Sequence, residues 1–205
     1  MNRKSLYKFI GCLMLLQFLA PFSFGQKKDN YLIYSSLKGN VGNYYGAGIT
    51  LDLVRSNNYS LGIGYYEQEK KPANRPSDYS KGLFSIYTFG LGVARDNLQA
   101  VSLTGGKVFL SKSNSKIRYH LKGGLIYSFG KIPTNWVKLE DVLFSFENYT
   151  YEYEKYREIG ILINPTIDIP VFKYLGFSAG PYALMNQKTI SYGIELTSLI
   201  GIVKN

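Results

Sequence analysis

Residues 117–129, with the sequence IRYHLKGGLIYSF, separate apolar from polar side chains at alternate positions. Every second residue from Ile117 to Phe129 is a large apolar or aromatic one, except for Gly123. Most of the intervening positions are cationic, small or polar: Arg118, His120, Lys122, Gly124 and Ser128. Successive side chains of a β-strand point to opposite faces, so this stretch predicts a strand with one apolar and one polar face.

The same period of two recurs along the chain and predicts eight strands. These strands cover residues 31–38, 44–54, 59–68, 98–110, 117–129, 156–171, 175–184 and 189–203. Short clusters of Gly, Asn, Ser and Lys separate most of them, including a turn at residues 39–43. Two longer segments, residues 69–97 and 131–155, are predicted to be loops. Residues 84–91 are an alternative ninth strand, but an odd number of strands does not suit the barrel described next.

The pattern favours a membrane-spanning barrel over a soluble one. In a soluble periplasmic barrel or sandwich, the large apolar residues would point inward. Here the faces opposite them carry Gly, Ser, Thr and charges, a lining suited to a narrow barrel interior. Short turns alternate with the two long loops, as periplasmic turns and extracellular loops do. We therefore predict an all-β protein, an eight-stranded antiparallel transmembrane β-barrel with two longer extracellular loops.

The amino-terminal residues show the pattern of a secretory signal peptide. Three cations and no acid precede an apolar run at residues 9–22, and Gly25 stands just before a polar stretch. The run is shorter than the ~18 residues of a spanning helix, which disfavours a membrane anchor. We predict a signal peptide at residues 1–25, with cleavage after Gly25 or alternatively Ala20. Residues 26–205 then form the barrel domain in the outer membrane.

Charge and composition restrict the partners and cofactors. The formal net charge is +10, and three of the positive charges lie in the signal peptide, which leaves +7. The Lys and Arg residues are scattered and form no nucleic-acid-binding motif, so we expect no nucleic-acid partner. Outer-membrane lipid and lipopolysaccharide, with their phosphorylated headgroups, are the expected partners, and a merely soluble basic surface is the alternative. The mature chain has one His and no Cys, so we expect no metal or other cofactor.

Seven ionisable residues fall on the polar faces and are predicted to form a charge network inside the barrel. They are Asp52, Arg118, His120, Lys122, Glu158, Asp168 and Glu195. An isolated charge in a narrow lumen is costly to desolvate, so these groups must be paired or hydrogen-bonded. If strands five and six are neighbours, Arg118 lies near Asp168. We predict a network that fills the interior and prevents conduction.

His120 also raises an alternative function, a lipid-modifying enzyme of the outer membrane. It is the only His in the chain, so a serine nucleophile would need it as its general base. Its polar strand neighbours are cationic, and no Ser is placed near it by the sequence. We therefore interpret His120 as a hydrogen-bonded packing residue and expect no enzyme.

The tyrosine-rich tract at residues 149–156 admits two interpretations. Tyrosines near strand ends suit the membrane–water interface, which favours a girdle or a continuation of the strands. Alternation of Tyr with charge also suits β-augmentation of a protein partner at the extracellular loops. The candidate recognition residues are Trp136, Tyr149, Tyr151 and Tyr153. In either case we expect a monomer.

The tract from Asn148 to Tyr156, NYTYEYEKY, continues through Ile163-Asn164-Pro165 to a last hairpin around Ser191-Tyr192-Gly193. These stretches resemble the outer-membrane β-barrel domain families that share the small eight-stranded OmpX-type architecture. The resemblance covers roughly residues 30–205 and implies the fold and the location, but no activity. With a filled interior, function is expected in the extracellular loops, as surface binding or adhesion, or in envelope integrity.

Overall fold

The computed structural model describes residues 31–55, 58–83, 93–111, 117–140 and 146–204. Its eight strands are β1 (Tyr31–Gly42), β2 (Tyr45–Arg55), β3 (Tyr59–Lys70), β4 (Asp96–Leu110), β5 (Arg118–Lys138), β6 (Tyr149–Pro170), β7 (Leu175–Asn186) and β8 (Ile190–Ile202). Each strand pairs antiparallel with its chain neighbours, and β8 pairs with β1 to close the barrel. The predicted fold class is confirmed. No helix in the described ranges is long and apolar enough to cross a membrane.

The outer surface of the barrel is a broad apolar band. Its exposed members include Leu51, Leu61, Ile63, Leu103, Leu121, Leu125, Ile159, Ile161, Ile163, Ile167, Ile194 and Leu196. Soluble proteins rarely expose a contiguous apolar surface of this kind, whereas a lipid-facing barrel requires one. The band follows from the period of two, because alternate residues of every strand face outward. The structure therefore excludes the soluble alternative, in which these side chains would form the core.

The inward-facing side chains fill the lumen. One buried apolar cluster includes Tyr44, Tyr66, Leu98 and Leu162, nearer the long-loop end of the strands. A second includes Tyr34, Val54, Val108, Leu199 and Val203, nearer the chain termini. Buried polar side chains occupy much of the remaining interior. An eight-stranded barrel leaves an interior just wide enough for such filling.

The connections differ between the two ends of the barrel. The β2–β3 and β6–β7 connections are short and lie at the same end as both chain termini. The β3–β4 connection, residues 71–95, and the β5–β6 connection, residues 139–148, lie at the other end. Short connections also join β1 to β2 and β7 to β8 at this second end, but the two longest connections lie there, so we assign it to the extracellular side.

The first hairpin is tighter than the sequence predicts. The ladder of β1 with β2 continues to the pair Val41–Tyr45, so the predicted turn at residues 39–43 is mostly strand. Gly42 lies opposite Gly193 of β8, and a Cβ on either glycine would collide with the backbone of the other strand. Glycine is therefore required at positions 42 and 193 by the close approach of β1 and β8.

The predicted loop at residues 131–155 is wrong in extent. Lys131–Lys138 continue β5 and pair with the beginning of β6, which starts at Tyr149. The Tyr- and Thr-rich tract has high strand propensity, and cross-strand pairing satisfies its backbone groups. A bulge between Thr134 and Val137, with Asn135 at a φ of 52°, marks the irregular part of the hairpin.

Two sequence predictions lie outside the described residues. The signal peptide at residues 1–25 falls before the first described residue, Tyr31. The alternative ninth strand at residues 84–91 falls within the gap between residues 83 and 93. Both stay predictions from the sequence.

Candidate functional site in the barrel interior and at the extracellular hairpin

Asp168 is the centre of one buried polar group. Its Oδ1 accepts hydrogen bonds from Thr166 Oγ1 at 2.9 Å and Ser178 Oγ at 2.7 Å. Its Oδ2 lies 3.9 Å from Arg118 Nη2 and 3.5 Å from His120 Nδ1. Arg118 is directly opposite Asp168 in the β5–β6 ladder, so the structure places the two together as the sequence suggests.

His120 has a second partner that the sequence analysis missed. Its Nε2 lies 2.7 Å from Ser60 Oγ, on β3, although the two residues are far apart in the chain. Gly106 of β4 lies opposite Ser60, and a Cβ there would sit 2.8 Å from Ser60 Oγ, so its lack of a side chain leaves the path to His120 open. The sequence alone places no Ser near His120, whereas the structure brings Ser60 to it. Ser60, His120 and Asp168 stand in the hydroxyl–imidazole–carboxylate order of serine hydrolases.

Asp52 forms a second polar group. Its Oδ2 accepts hydrogen bonds from Ser36 Oγ at 3.0 Å and Thr50 Oγ1 at 2.9 Å. Its Oδ1 lies 3.7 Å from Lys122 Nζ. Hydroxyl donors and a cation together compensate the cost of burying this carboxylate. The pairing also explains how Lys122 is accommodated in the lumen.

Lys38 and Glu195 form the most deeply buried ion pair. Lys38 Nζ lies 2.9 Å from Glu195 Oε1, and each side chain is 1% exposed. The ammonium also donates to Tyr66 OH at 3.0 Å and to Asn164 Oδ1 at 3.4 Å. Lys38 was not predicted to belong to the charge network, because it is the last residue of the first predicted strand. The polar period of Ser36, Lys38 and Asn40 is the signal that would have placed it inside.

Glu158 does not join these groups, although it was predicted to. It is only partly buried and lies opposite Ser128, whose hydroxyl donates to the backbone oxygen of Glu158 at 2.9 Å. Among the described residues, its carboxylate forms no ion pair. The charge network therefore involves six of the predicted residues and Lys38, but not Glu158.

The four predicted recognition residues lie together on the extracellular part of the β5–β6 hairpin. Trp136 packs against Tyr151 at 5.0 Å and Tyr149 at 6.3 Å between ring centroids, and Tyr151 against Tyr153 at 5.4 Å. Tyr79, from the β3–β4 connection, packs against Trp136 in a T-shaped arrangement with 5.3 Å between ring centroids. We call these five residues the aromatic cluster. The four predicted residues therefore lie on β5 and β6 and not in a loop, and Tyr79 lies on the β3–β4 connection.

Asp78 fastens the β3–β4 connection to this hairpin. It accepts hydrogen bonds from Lys138 Nζ at 2.7 Å and Tyr149 OH at 2.6 Å. These two hydrogen bonds lower the pKa of Asp78 below its usual value, and the bond from Lys138 has the larger effect. Donation of this hydrogen bond to Asp78 also raises the pKa of Lys138. Tyr79 adds a hydrogen bond to Glu147 at 2.6 Å, so the aromatic cluster is held from both sides.

Among the described strands, the extracellular part of β6 has a neighbouring strand on one side only. The β6–β7 ladder begins at Gly160, so residues 149–159 pair with β5 but not with β7. Tyr153 on this segment is 42% exposed. A strand edge with unpaired backbone groups is a template for another strand. This segment, with its exposed tyrosine, is the most suitable binding surface in the described hairpin.

The closed antiparallel barrel, its apolar outer band and its polar lining define an outer-membrane β-barrel protein. No protein-family model matches the chain, and its sequence matches no curated protein. The chain is similar in structure to a major outer membrane protein from Thermus thermophilus, with a TM-score of 0.52 and 10% identity over 82% of this chain and 98% of that one. It also matches the N-terminal β-barrel domain of Pseudomonas aeruginosa OprF, with a TM-score of 0.49 and 12% identity over 84% and 97%. The first similarity supports the fold of the small eight-stranded barrel.

Proposed function

We propose that this protein is a monomeric, non-conducting outer-membrane barrel that binds partners at the cell surface through its extracellular hairpin. The observation that carries the proposal is the β6 edge that pairs with no described strand on its β7 side, at residues 149–159, beside the packed aromatic cluster. We propose lipid of the outer membrane as the second partner, in contact with the apolar band. Neither role requires an enzyme.

The filled lumen supports the absence of conduction. The two apolar clusters and the buried ion pairs occupy the interior that a pore would need. In planar bilayers, the purified barrel is expected to show little or no steady conductance. Large, regular single-channel currents from the wild-type protein would show an open path and refute this part of the proposal.

The hairpin suits an extended protein segment as its partner. A peptide strand added at the β6 edge would gain main-chain hydrogen bonds, and its alternate side chains would meet tyrosine rings. Tyr149 and Trp136 are held in place by their contacts with the β3–β4 connection. Binding would therefore cost little conformational entropy of these side chains.

A random-peptide library tests this binding mode against the full-length protein in lipid nanodiscs. Selected peptides are expected to bind wild-type protein and to lose affinity for a Tyr151→Ser/Tyr153→Ser variant. A matched control is Tyr59→Ser/Tyr174→Ser, which removes two exposed tyrosines at the periplasmic end. Peptides that bind all three proteins equally, or a selection that yields no binder, would refute hairpin recognition.

A specific observation supports a second candidate function, acyl transfer at Ser60. In this scheme Ser60 Oγ attacks a lipid ester carbonyl, His120 accepts the hydroxyl proton and returns it to the leaving alcohol, and Asp168 orients the imidazole. Water or an acceptor hydroxyl, deprotonated by His120, then takes the acyl group from Ser60, whose oxygen recovers the proton from His120. The 2.7 Å contact between Ser60 and His120 favours it. His120 is 1% exposed and lies opposite Val108 of an apolar cluster, which favours a packing role instead.

Two substitutions separate the candidates. Ser60→Ala removes the nucleophile with little change in volume, and His120→Asn removes the base. If the protein is an enzyme, both variants change the lipid A acylation profile of the outer membrane, and a fluorophosphonate probe labels Ser60 in the wild type. We expect an unchanged profile and no labelling. A changed profile in both variants would refute the binding-only proposal.

A further inference from the structure

A groove lies on the outer face of the barrel at its extracellular edge. It has a volume of about 830 Å³ and crosses β4, β5 and β6. Its lining includes Gln99, Tyr127, Phe129, Lys131, Lys155 and Arg157. Aromatic rings and cations therefore share one surface outside the lumen, remote from the buried charge network.

The strand register places this groove at the upper limit of the apolar band. Val101, Tyr127 and Ile159 form one cross-strand row, and all three are exposed on the lipid side. The second row toward the extracellular end brings Lys131 opposite Lys155. Between these two rows, Phe129 is opposite Arg157. The surface thus changes from hydrocarbon-facing to cationic within two rows, as the headgroup region of a bilayer requires.

No described residue forms an ion pair with the cations of the groove. Lys131 and Lys155 are directly opposite in the ladder, an arrangement that is destabilising for like charges. Within the described residues, neither lysine nor Arg157 forms an ion pair. An anion bound between the two lysines would remove their repulsion and give Arg157 an acceptor.

Two acidic groups on the outer face of the adjoining strand β3 are already engaged. Glu67, on the row of Phe129, accepts a hydrogen bond from Gln99 Nε2 at 3.1 Å. Glu69, on the row of Lys131, is 3.1 Å from Arg95. These two acids are therefore not available to the groove, and an anion from outside the chain would supply its counterion.

We propose that the groove binds the phosphorylated headgroup of an outer-leaflet lipid. Lys131, Lys155 and Arg157 would contact the phosphate, and Tyr127 and Phe129 would pack against the adjoining sugar or glycerol. The acyl chains of the lipid would lie along the apolar rows below the groove. A free phosphate has no acyl chains and would not make these contacts. This inference rests on the lipid contact proposed above and names its chemistry and its residues.

Full-length protein in phosphatidylcholine nanodiscs with graded amounts of diphosphorylated lipid A tests the site. The measured quantities are lipid A retained per barrel, by native mass spectrometry, and the midpoint of thermal unfolding. A Lys131→Gln/Lys155→Gln/Arg157→Gln variant is expected to bind lipid A on the order of tenfold more weakly than wild type. Lys155→Gln alone relieves the like-charge contact and is expected to fold normally with a smaller loss of binding.

The matched control is Arg55→Gln/Lys107→Gln/Lys173→Gln, which removes the same charge from exposed positions at the periplasmic end. It is expected to bind lipid A like wild type. Dephosphorylated lipid A is expected to bind wild type and groove variants equally. The proposal would be overturned if the control variant lost as much lipid A binding as the groove variants, or if the groove variants lost none. Displacement of lipid A by inorganic phosphate alone at matched concentration would also overturn it. Peptide binding at the hairpin is measured separately, so the failure of either proposal is distinguishable.

Discussion

The buried pair of Lys38 and Glu195 gives the most stringent test of the interior. Glu195→Ala leaves the Lys38 ammonium without its carboxylate in a site that is 1% exposed. Loss of one partner of a buried ion pair costs about 3–5 kcal/mol of unfolding free energy. The two remaining acceptors, Tyr66 OH at 3.0 Å and Asn164 Oδ1 at 3.4 Å, place the expected cost near the lower value.

The reverse change should cost more. Lys38→Met leaves the Glu195 carboxylate with one hydroxyl donor, Thr197 Oγ1 at 3.3 Å, and no hydrogen bond to its Oε2 from the described residues. The double variant Lys38→Met/Glu195→Leu buries no unpaired charge. Its remaining cost is the loss of bonds to Tyr66 and Asn164, about 1 kcal/mol each. The coupling energy of the cycle is therefore expected to be about 3 kcal/mol or more.

The assay is reversible urea unfolding in phospholipid vesicles, followed by far-ultraviolet circular dichroism and by heat-dependent gel mobility. Fluorescence is unsuitable here, because the sole tryptophan, Trp136, lies in the extracellular hairpin and not in the barrel wall. Thr104→Val, a buried hydroxyl outside the pair, is the control for local packing. The pairing would be refuted if the losses of unfolding free energy in the two single variants summed to that of the double variant within about 0.5 kcal/mol. A loss below about 1 kcal/mol in each single variant would also refute it.

Three further predictions concern the barrel wall, a second buried acid and the hairpin. Ile161→Arg, on the lipid side, is expected to lower the unfolding free energy in vesicles by ~2–4 kcal/mol. Thr166→Arg, on the lumen side, is expected to act through crowding and charge pairing instead. Equal folding of Ile161→Arg and wild type would contradict the assigned faces. Asp168→Ala removes the acceptor of two hydroxyls and the ion-pair partner of a guanidinium, so it is expected to cost about 3–5 kcal/mol in the same measurement. The hydrogen bond from Lys138 lowers the pKa of Asp78, so docking of the β3–β4 connection is fully stabilised above the usual carboxyl pKa of 3.8 and weakens as pH falls below it. Fluorescence of the sole tryptophan should show this step, and Asp78→Asn should lack it.

The sequence predicted which side chains of each strand face the lumen and which face outward. It predicted only part of the contacts inside the barrel. Alternation alone indicated that Asp52 and Glu195 point inward, and the antiparallel order of β5 and β6 brought Arg118 to Asp168. The contact of His120 with Ser60 was not predictable, since it skips a strand and depends on a glycine in between.

The sequence by itself determined the number of strands, their inner and outer faces and the apolar band, because a period of two is a local property of an extended chain. Only the tertiary structure decided which charges are partners, that β5 and β6 extend beyond the barrel as a hairpin, and that Lys131 stands opposite Lys155. These features depend on the register between strands and on closure of β8 against β1. Register couples residues that are distant in the chain, so alternation within single strands does not specify it.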